Sequence, residues 1–530
     1  MVPIQFDALD IGGRKQLFID ERFFAMNDGV RLAVNPPIDC GPVVVEDTPW
    51  DKVRIYGYTS VLQDPLGDGV HRMYYYTAHK YSTGVAFSKD GINWEKPSLG
   101  LYEFDGSRDT NLVRVEDLEG NQVDLTVVYA FLDPNAPPEL RFKAFSRAGS
   151  THSKPVLCWS QDGLLWKTDM KILSEAESDQ LEMALWDPRI GKYAVYGRAC
   201  GRSISRTELV RPEDMQGYLL EDAVIRADHF DNYESWLDGP ILMSKPGIEN
   251  VWKGNYYKYR EWDPEFGDSP AFTSKREWAD GVGVYEPGVT VYPYAQDAYI
   301  CLLPMFYYKP NLFEVQLAVS RDGIRWLRPG DRQPWYWPPL EDEKGIHCMH
   351  VGPGLIRNGN EIFHYIGCNT NWHGSVSPED CVLDTPPDYP RKTEINRVKL
   401  RLDGYMSADA GNRECTFLTP PMVFEGSKLA LNVNTSASGH MKVELMDART
   451  SRGTSLPADL VNHSENYSSP GRGVAARGLK MADCERITAN SCSRAARWNG
   501  SPDVSAWRGK PIRLRVTMRN TKLFSFQFID

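Results

Sequence analysis

No apolar run in this chain comes near the ~18 residues that a membrane-spanning helix needs, so no membrane partner is expected. The cysteines, at positions 40, 158, 200, 301, 348, 368, 381, 415, 484 and 492, form no Cys-x-x-Cys pair. Zinc and dithiol redox chemistry therefore have no motif to rest on, and Cys484 with Cys492 is the one bridge considered. A Gly-rich phosphate loop, a Gly-x-Ser-x-Gly elbow and a His-Glu-x-x-His helix are all absent, which leaves nucleotide chemistry and serine hydrolysis without support. The opening Met1-Val2-Pro3-Ile4-Gln5-Phe6-Asp7 has no basic stretch followed by an apolar one. A cytoplasmic location is the first expectation, and a trimmed secreted form the second.

Positive charge is also scarce where it would matter. The net charge is −11, and residues 406–530 hold 17 Lys and Arg against 11 Asp and Glu, a net of +6 that leaves −17 for the remainder. An acidic main body has no basic footprint for a phosphate backbone, so a nucleic-acid partner is excluded. No cofactor and no metal is expected. His347 and His350 flank Cys348 and Met349, and that spacing puts the two imidazoles on opposite faces of a strand, away from a shared ion.

What the chain does have is a repeated turn. Ser-x-Asp-Gly-x-x-Trp stands at Ser88–Trp94, Ser160–Trp166 and Ser320–Trp326, with two eroded copies at Asp231–Trp236 and Arg401–Tyr405. The marker aspartates at 90, 162, 231, 322 and 403 are 72, 69, 91 and 81 residues apart. Such an Asp-box repeat at this interval is the mark of a repeat fold. The carboxylate is expected to cap local backbone N–H groups, the glycine to take a positive φ, and the tryptophan to pack between neighbouring sheets.

Between these turns run paired short strands: Tyr58–Gln63 with Arg72–Tyr76, Leu125–Phe131 with Arg141–Phe145, Glu182–Trp186 with Lys192–Tyr196, Val289–Tyr292 with Ala298–Leu303, and Val351–Ile356 with Glu361–Tyr365. Short strands at regular spacing predict an all-β chain, and five such units predict a five-bladed β-propeller. The long third interval implies an insertion around 240–285, a candidate site wall containing Trp252, Tyr256, Tyr257, Arg260 and Trp262. After Gly404 the texture turns to plain alternation, as in Leu429–Asn434 and Ile512–Val516, which predicts a C-terminal β-sandwich. The expected division is an N-terminal segment 1–30, a catalytic propeller 31–405 and a sandwich 406–530. The sandwich offers a surface for a homo-oligomer.

In a propeller the inner strands of all blades converge on one funnel. Their starts fall near Asp51–Tyr58, Asp124, Asp179–Glu182, Glu286 and His347–His350. Carboxylates are disfavoured in strands, yet four of these five places hold one. Crowded carboxylates in a desolvated funnel separate their pKa values into a proton donor and an anion. That is the pair glycoside hydrolysis uses.

The repeats, Leu185-Trp186-Asp187-Pro188-Arg189-x-x-Lys192-Tyr193 and Leu400-Arg401-Leu402-Asp403-Gly404-Tyr405 resemble bacterial glycosidase-like proteins related to glycoside hydrolase families 32, 43 and 68. The resemblance implies that Glu182 is the acid and Asp124 the stabilising aspartate. The Trp-x-Asn-Asp-Pro-Asn-Gly nucleophile motif and the Arg-Asp-Pro motif of family 32 are absent, and Glu-Cys occurs only at Glu414-Cys415. The expectation is a glycoside hydrolase acting on a carbohydrate partner by carboxylate acid/base catalysis. Glu182 is the acid, one of Asp51, Asp179 or Glu286 its partner carboxylate, and Asp124 a positioning group. Arg54, Tyr58, Tyr256, Arg260 and His350 are expected substrate contacts. An inverting glycoside phosphorylase and a non-catalytic glycan-binding propeller are the alternatives.

Overall fold

The computed structural model describes residues 8–51, 55–77, 81–148, 154–174, 181–199, 203–216, 223–225, 282–307, 312–337, 348–370, 393–448, 474–476 and 478–530. Among these the chain is all-β: every extended element is a strand, and the only helical pieces are single 3-10 turns. No helix of the described residues is long and apolar enough to cross a membrane. Two compact units form. One comprises Met1–Asn35, Tyr292–Ala298 and Arg401–Asp530; the other comprises Pro36–Val291 and Tyr299–Leu400.

The larger unit holds five sheets. The first is Ile55–Leu62, His71–Thr77 and Thr83–Ser88 in antiparallel order. In the second, Phe131–Leu132, Phe142–Ala148, Lys154–Ser160 and Leu165–Thr168 follow one another, with Arg114–Glu116 parallel at the edge. Met183–Asp187, Lys192–Ala199, Ser203–Leu209 and Ala223–Ile225 make the third. The fourth centres on Tyr299–Tyr307 and Leu312–Ser320, with Val282–Val284 and Gly288–Val291 along one side. The fifth runs Cys348–Val351, Glu361–Asn369, Thr393–Arg401, and its outer strand is Ile38–Val45. The first strand of the unit therefore pairs with the last, Val45 opposite Glu394.

Each sheet packs on the next. Ser60 Oγ of the first donates to the Val128 carbonyl at 2.5 Å, and Phe145 of the second packs with Ala184 and Val195 of the third. Tyr196 and Ile204 of the third share a core with Val284 and Leu303 of the fourth. The Gly354 N–H donates to Thr290 Oγ1 at 3.0 Å, from fifth to fourth, and Val61 N–H donates to the Pro353 carbonyl at 3.1 Å, from first to fifth. At that last seam backbone meets backbone: a Cβ on Gly352 would overlap the Thr59 carbonyl oxygen.

The repeated turns have one geometry. Asp90 Oδ1 accepts from the N–H groups of Ile92 and Asn93 at 2.8 and 2.9 Å, Asp162 Oδ1 from Leu164 and Leu165 at 2.8 and 3.0 Å, and Asp322 Oδ1 from Ile324 and Arg325 at 2.9 and 2.7 Å. Burial opposes ionisation of Asp90 slightly, but these donors outweigh it and hold the carboxyl down to about 2. The glycines follow at φ 70°, 76° and 71°. Each tryptophan then meets a tyrosine of the preceding sheet edge to face, with ring centroids 5.3 Å apart for Trp94 and Tyr365, 6.2 Å for Trp166 and Tyr74, and 6.4 Å for Trp326 and Tyr196. Those tyrosines also sit on the turn glycines: Tyr365 donates to the Gly91 carbonyl at 2.6 Å and Tyr196 to that of Gly323 at 2.9 Å. The turn is thus the mortise between consecutive sheets. The eroded copy at Asp231–Trp236 lies outside the described residues.

In the smaller unit a seven-stranded and a six-stranded sheet share one core. Residues before 36 supply strands to both: Leu9–Gly12 and Met26–Asp28 to the first, Gln16–Leu17 and Arg31–Val34 to the second. Phe18, Phe23, Phe417 and Phe526 interlock at the centre. The copy at Asp403 differs from the others. Its φ is 63°, and its carboxylate is fully buried among Lys15 at 2.9 Å, Tyr292 Oη at 2.8 Å, Ser525 Oγ at 2.7 Å and Asn432 Nδ2 at 3.1 Å. Without the serine two residues earlier, this aspartate turns inward and becomes the hub of a buried network. Cys484 is a reduced thiol that accepts from the Val443 N–H at 3.3 Å, so it does not bridge to Cys492.

Candidate active site

The inner strands of the larger unit bring buried polar groups from all five sheets into one neighbourhood. Glu286 lies between the strands Val282–Val284 and Gly288–Val291 and is fully buried. Its Oε2 accepts from Tyr129 Oη at 2.9 Å, and its Oε1 accepts from the Val351 N–H at 2.8 Å. His350 Nδ1 completes the set at 3.2 Å from Oε1.

His350 is gripped on every side. Its ring lies 4.2 Å from that of Tyr58 and 5.5 Å from that of Tyr285, whose hydroxyls are 3.1 Å apart. Its Nε2 is 3.2 Å from Cys348 Sγ, because residues two apart on a strand share a face. Burial pushes the imidazole pKa down, but Cys348 and Glu286 together outweigh it and raise the value well above that of a free histidine. Burial, and then the neighbouring Tyr285 and Glu286, push the Tyr58 phenol well up, so it stays a neutral donor. Arg198 of the third sheet donates to the Tyr285 carbonyl at 2.8 Å and lies 5.0 Å from its ring.

Glu182 immediately precedes the strand Met183–Asp187, and 1% of it is exposed. Arg147, from the second sheet, forms an ion pair with its Oε1. Its Oε2 is buried and has no hydrogen-bond partner among the described residues. Burial raises the Glu182 pKa, and the Arg147 charge offsets only part of that rise. A carboxyl with one anchored oxygen, one unused oxygen and a raised pKa has the properties of a proton donor.

Of the ten residues the sequence singles out, Glu286, Tyr58 and His350 come together. Glu182 sits next to Met183, which packs with Tyr129 and Tyr58. Asp51 is fully buried but engaged elsewhere: Lys96 binds its Oδ2, and its backbone N–H donates to Thr48 Oγ1. Burial raises the Asp51 pKa, with Lys96 opposing. Asp124 is exposed, in a loop before Phe131–Leu132, and the side chain this segment sends to Glu286 is Tyr129. The strand expected over Leu125–Phe131 forms only at Phe131–Leu132, and Thr126 and Val127 are hydrogen-bonded to Thr83 of the first sheet instead. Asp179, Arg54, Tyr256 and Arg260, with His347, Trp252, Tyr257 and Trp262, lie outside the described residues.

Sequence reasoning passed over Tyr129, Arg147, Arg198 and Cys348. Two of these carried a signal. Arg147 is a charge within Phe142–Ala148, a strand buried at every position, and such a charge needs a buried partner. Cys348 alternates with His350, which places thiol and imidazole on one face. Among the described residues no group of three or more His, Cys, Asp and Glu side chains converges on a cation position.

No protein-family model matches the chain, and neither does any curated protein. Solved structures similar to it include a thermostable family-43 glycoside hydrolase, 14% identical over 67% of this chain and 92% of that one, with a TM-score of 0.37. A glycosyl hydrolase from Bacteroides ovatus is 11% identical over 73% of this chain and 96% of that one, with a TM-score of 0.37. An N-acetylgalactosamine deacetylase from F. plautii is 12% identical over 75% and 96%, with a TM-score of 0.35.

Proposed function

We propose that the larger unit is a five-bladed β-propeller, the smaller a β-sandwich, and the protein a glycoside hydrolase acting on a glycan or oligosaccharide with Glu182 as general acid. Support for the propeller comes from the five sheets, each packed on the next, and from the strand Ile38–Val45 that joins the unit's beginning to its end. The observation that carries the chemistry is the state of Glu182: buried, anchored by Arg147 through one oxygen, unpartnered at the other, and raised in pKa. A glycosidic oxygen leaving as an alkoxide needs a proton, and a carboxyl whose pKa is raised by burial is suited to deliver it.

Glu286 then serves as a positioning group, because Tyr129, Val351 and His350 occupy its oxygens. Tyr58, half-buried beside His350, is the substrate-facing donor of the set. The same engagement of Glu286, and of Asp51 by Lys96, favours the non-catalytic alternative, a propeller that holds a glycan without cleaving it.

A hydrolysis screen separates the two readings. Wild type and Glu182→Gln are assayed on aryl furanosides, aryl pyranosides and plant and algal oligosaccharides, with and without phosphate. The expected outcome is turnover by the wild type and a loss of about 10²–10⁴-fold in the variant, the usual worth of a positioned acid. The same raised pKa sets the pH profile. Activity should fall as pH rises through the Glu182 pKa, and this alkaline limb should vanish in Glu182→Gln. Sugar binding without turnover across the panel would establish the glycan-binding alternative, and a strict need for phosphate would establish a phosphorylase.

A further inference from the structure

We infer that Cys348, activated by His350 and Glu286, is a nucleophile that takes the glycosyl group of the substrate onto its sulfur. The substrate class rests on the hydrolase reading above; the activation of the thiol does not.

The geometry is that of an activated nucleophile. A thiol, an imidazole and a carboxylate stand in line, with Cys348 Sγ 3.2 Å from His350 Nε2 and His350 Nδ1 3.2 Å from Glu286 Oε1. Each link is held from outside the relay: Glu286 by the Tyr129 hydroxyl and the Val351 N–H, His350 between the Tyr58 and Tyr285 rings. The imidazole thus bridges the thiol on one side and the carboxyl group on the other, the arrangement in which a base relays a proton from a nucleophile. Among the described residues, the Tyr58, Tyr285 and Phe313 rings also pack against the imidazole.

Cys348 is also buried, at 3% exposed, but it alone of Cys158, Cys301 and Cys348 faces an imidazole among the described contacts. Cys158 and Cys301 are fully buried in apolar cores, with burial pushing the Cys158 thiol up to about 12 and that of Cys301 higher still. The relay also resolves a chemical gap. Of the candidate partner carboxylates that are described, Glu286 has both oxygens engaged, by Tyr129 and by Val351 and His350, while Asp51 is tied to Lys96 through Oδ2 and keeps Oδ1 without a partner among the described residues.

The steps balance without any redox partner. The Cys348 thiolate attacks the anomeric carbon as the glycosidic C–O bond breaks, and the leaving oxygen takes the proton of the Glu182 carboxyl. Water then attacks the same carbon while the Glu182 carboxylate accepts its proton. The C–S bond breaks, its electron pair returns to sulfur, and the configuration is retained overall.

The test labels the full chain with iodoacetamide across pH 5–10 and reads each cysteine by peptide mass spectrometry. Cys348 is expected to react at least ~10-fold faster than Cys158 and Cys301 at pH 7, because an imidazole stands beside its sulfur to take the proton. His350→Gln and Glu286→Gln should each slow it ~10-fold or more. Equal rates for all three cysteines would overturn the inference, whatever the enzyme assay shows. A second arm incubates Glu182→Gln with a dinitrophenyl glycoside, whose leaving group needs no acid, and looks for a glycosyl mass on the Cys348 peptide. Wild-type turnover retained in Cys348→Ala, with Glu182→Gln inactive, would overturn the nucleophile and leave the hydrolase reading standing. Fast labelling of Cys348 with no turnover on any glycoside would instead overturn the hydrolase reading and with it the glycosyl step.

Discussion

At the scale of single residues, this chain buries charge and then surrounds it. Glu182, Glu286, Asp51 and Asp403 are each no more than 1% exposed, and every one has a strong donor within reach. Such groups contribute modestly to stability when intact and are damaging when half-removed, because the partner charge stays behind without its counter-ion. Asp403 offers the cleanest case, since its carboxylate satisfies Lys15, Tyr292, Ser525 and Asn432 at once. Asp403→Ala is expected to destabilise the smaller unit by ~3–5 kcal/mol, measured as a fall in its denaturation midpoint. An unchanged midpoint would show that the network adds nothing to holding this core.

At the scale of elements, the repeated turn does two jobs with one sequence. Its aspartate and glycine close a hairpin end locally, and its glycine and tryptophan accept a tyrosine from the sheet before it. A Cβ built on Gly323 would lie 2.6 Å from Tyr196 Oη and 2.8 Å from Arg206 Nη1, whereas one on Gly100 meets nothing within 4 Å at nearly the same φ, 70° against 71°. Both substitutions to alanine incur the same left-handed backbone penalty of ~1–2 kcal/mol. Gly323→Ala should add ~1–3 kcal/mol more from the overpacked seam. Thermal unfolding of the two variants isolates that difference. Equal losses would mean the seam yields at no cost, and the mortise would then be incidental.

At the scale of the whole molecule, His364 gives stability one acid-sensitive contribution. His364 is buried near Trp335, and burial pushes its pKa down to about 4 despite a backbone hydrogen bond at Gly354. The unfolded chain binds that proton at about 6.5, so between these values the unfolded state holds more protons and stability rises with pH. The contribution is complete above pH ~6.5 and is lost progressively as pH falls toward 4, on the order of 3 kcal/mol in total. His364→Leu, of similar bulk, should flatten the stability curve between pH 4 and 6.5. An unchanged slope in chemical denaturation across that range would remove His364 as the cause.

The periodic turns, the paired short strands and the change of texture after Gly404 were legible in the one-dimensional chain because each is a local event. A hairpin needs only its own aspartate, serine and glycine, and a half-buried strand announces itself by alternation. The burial of Glu182 and Glu286 was legible for a related reason: an acid inside an apolar strand start has no local excuse. What no local pattern contains is the identity of a partner hundreds of residues away. Only the tertiary structure decided that residues before 36 join both sheets of the smaller unit, that Asp403 binds Lys15 across nearly the full chain length, and that Asp124 yields its place to Tyr129. It also decided the company kept by Glu286. Its place at a strand start made it one of three candidates for the partner carboxylate, but hydrogen bonds are filled by whichever donors packing delivers, and here packing delivers Tyr129, Val351 and His350. Side-chain chemistry is written in the chain, while burial and neighbours, which set pKa and reactivity, exist only once the sheets have met.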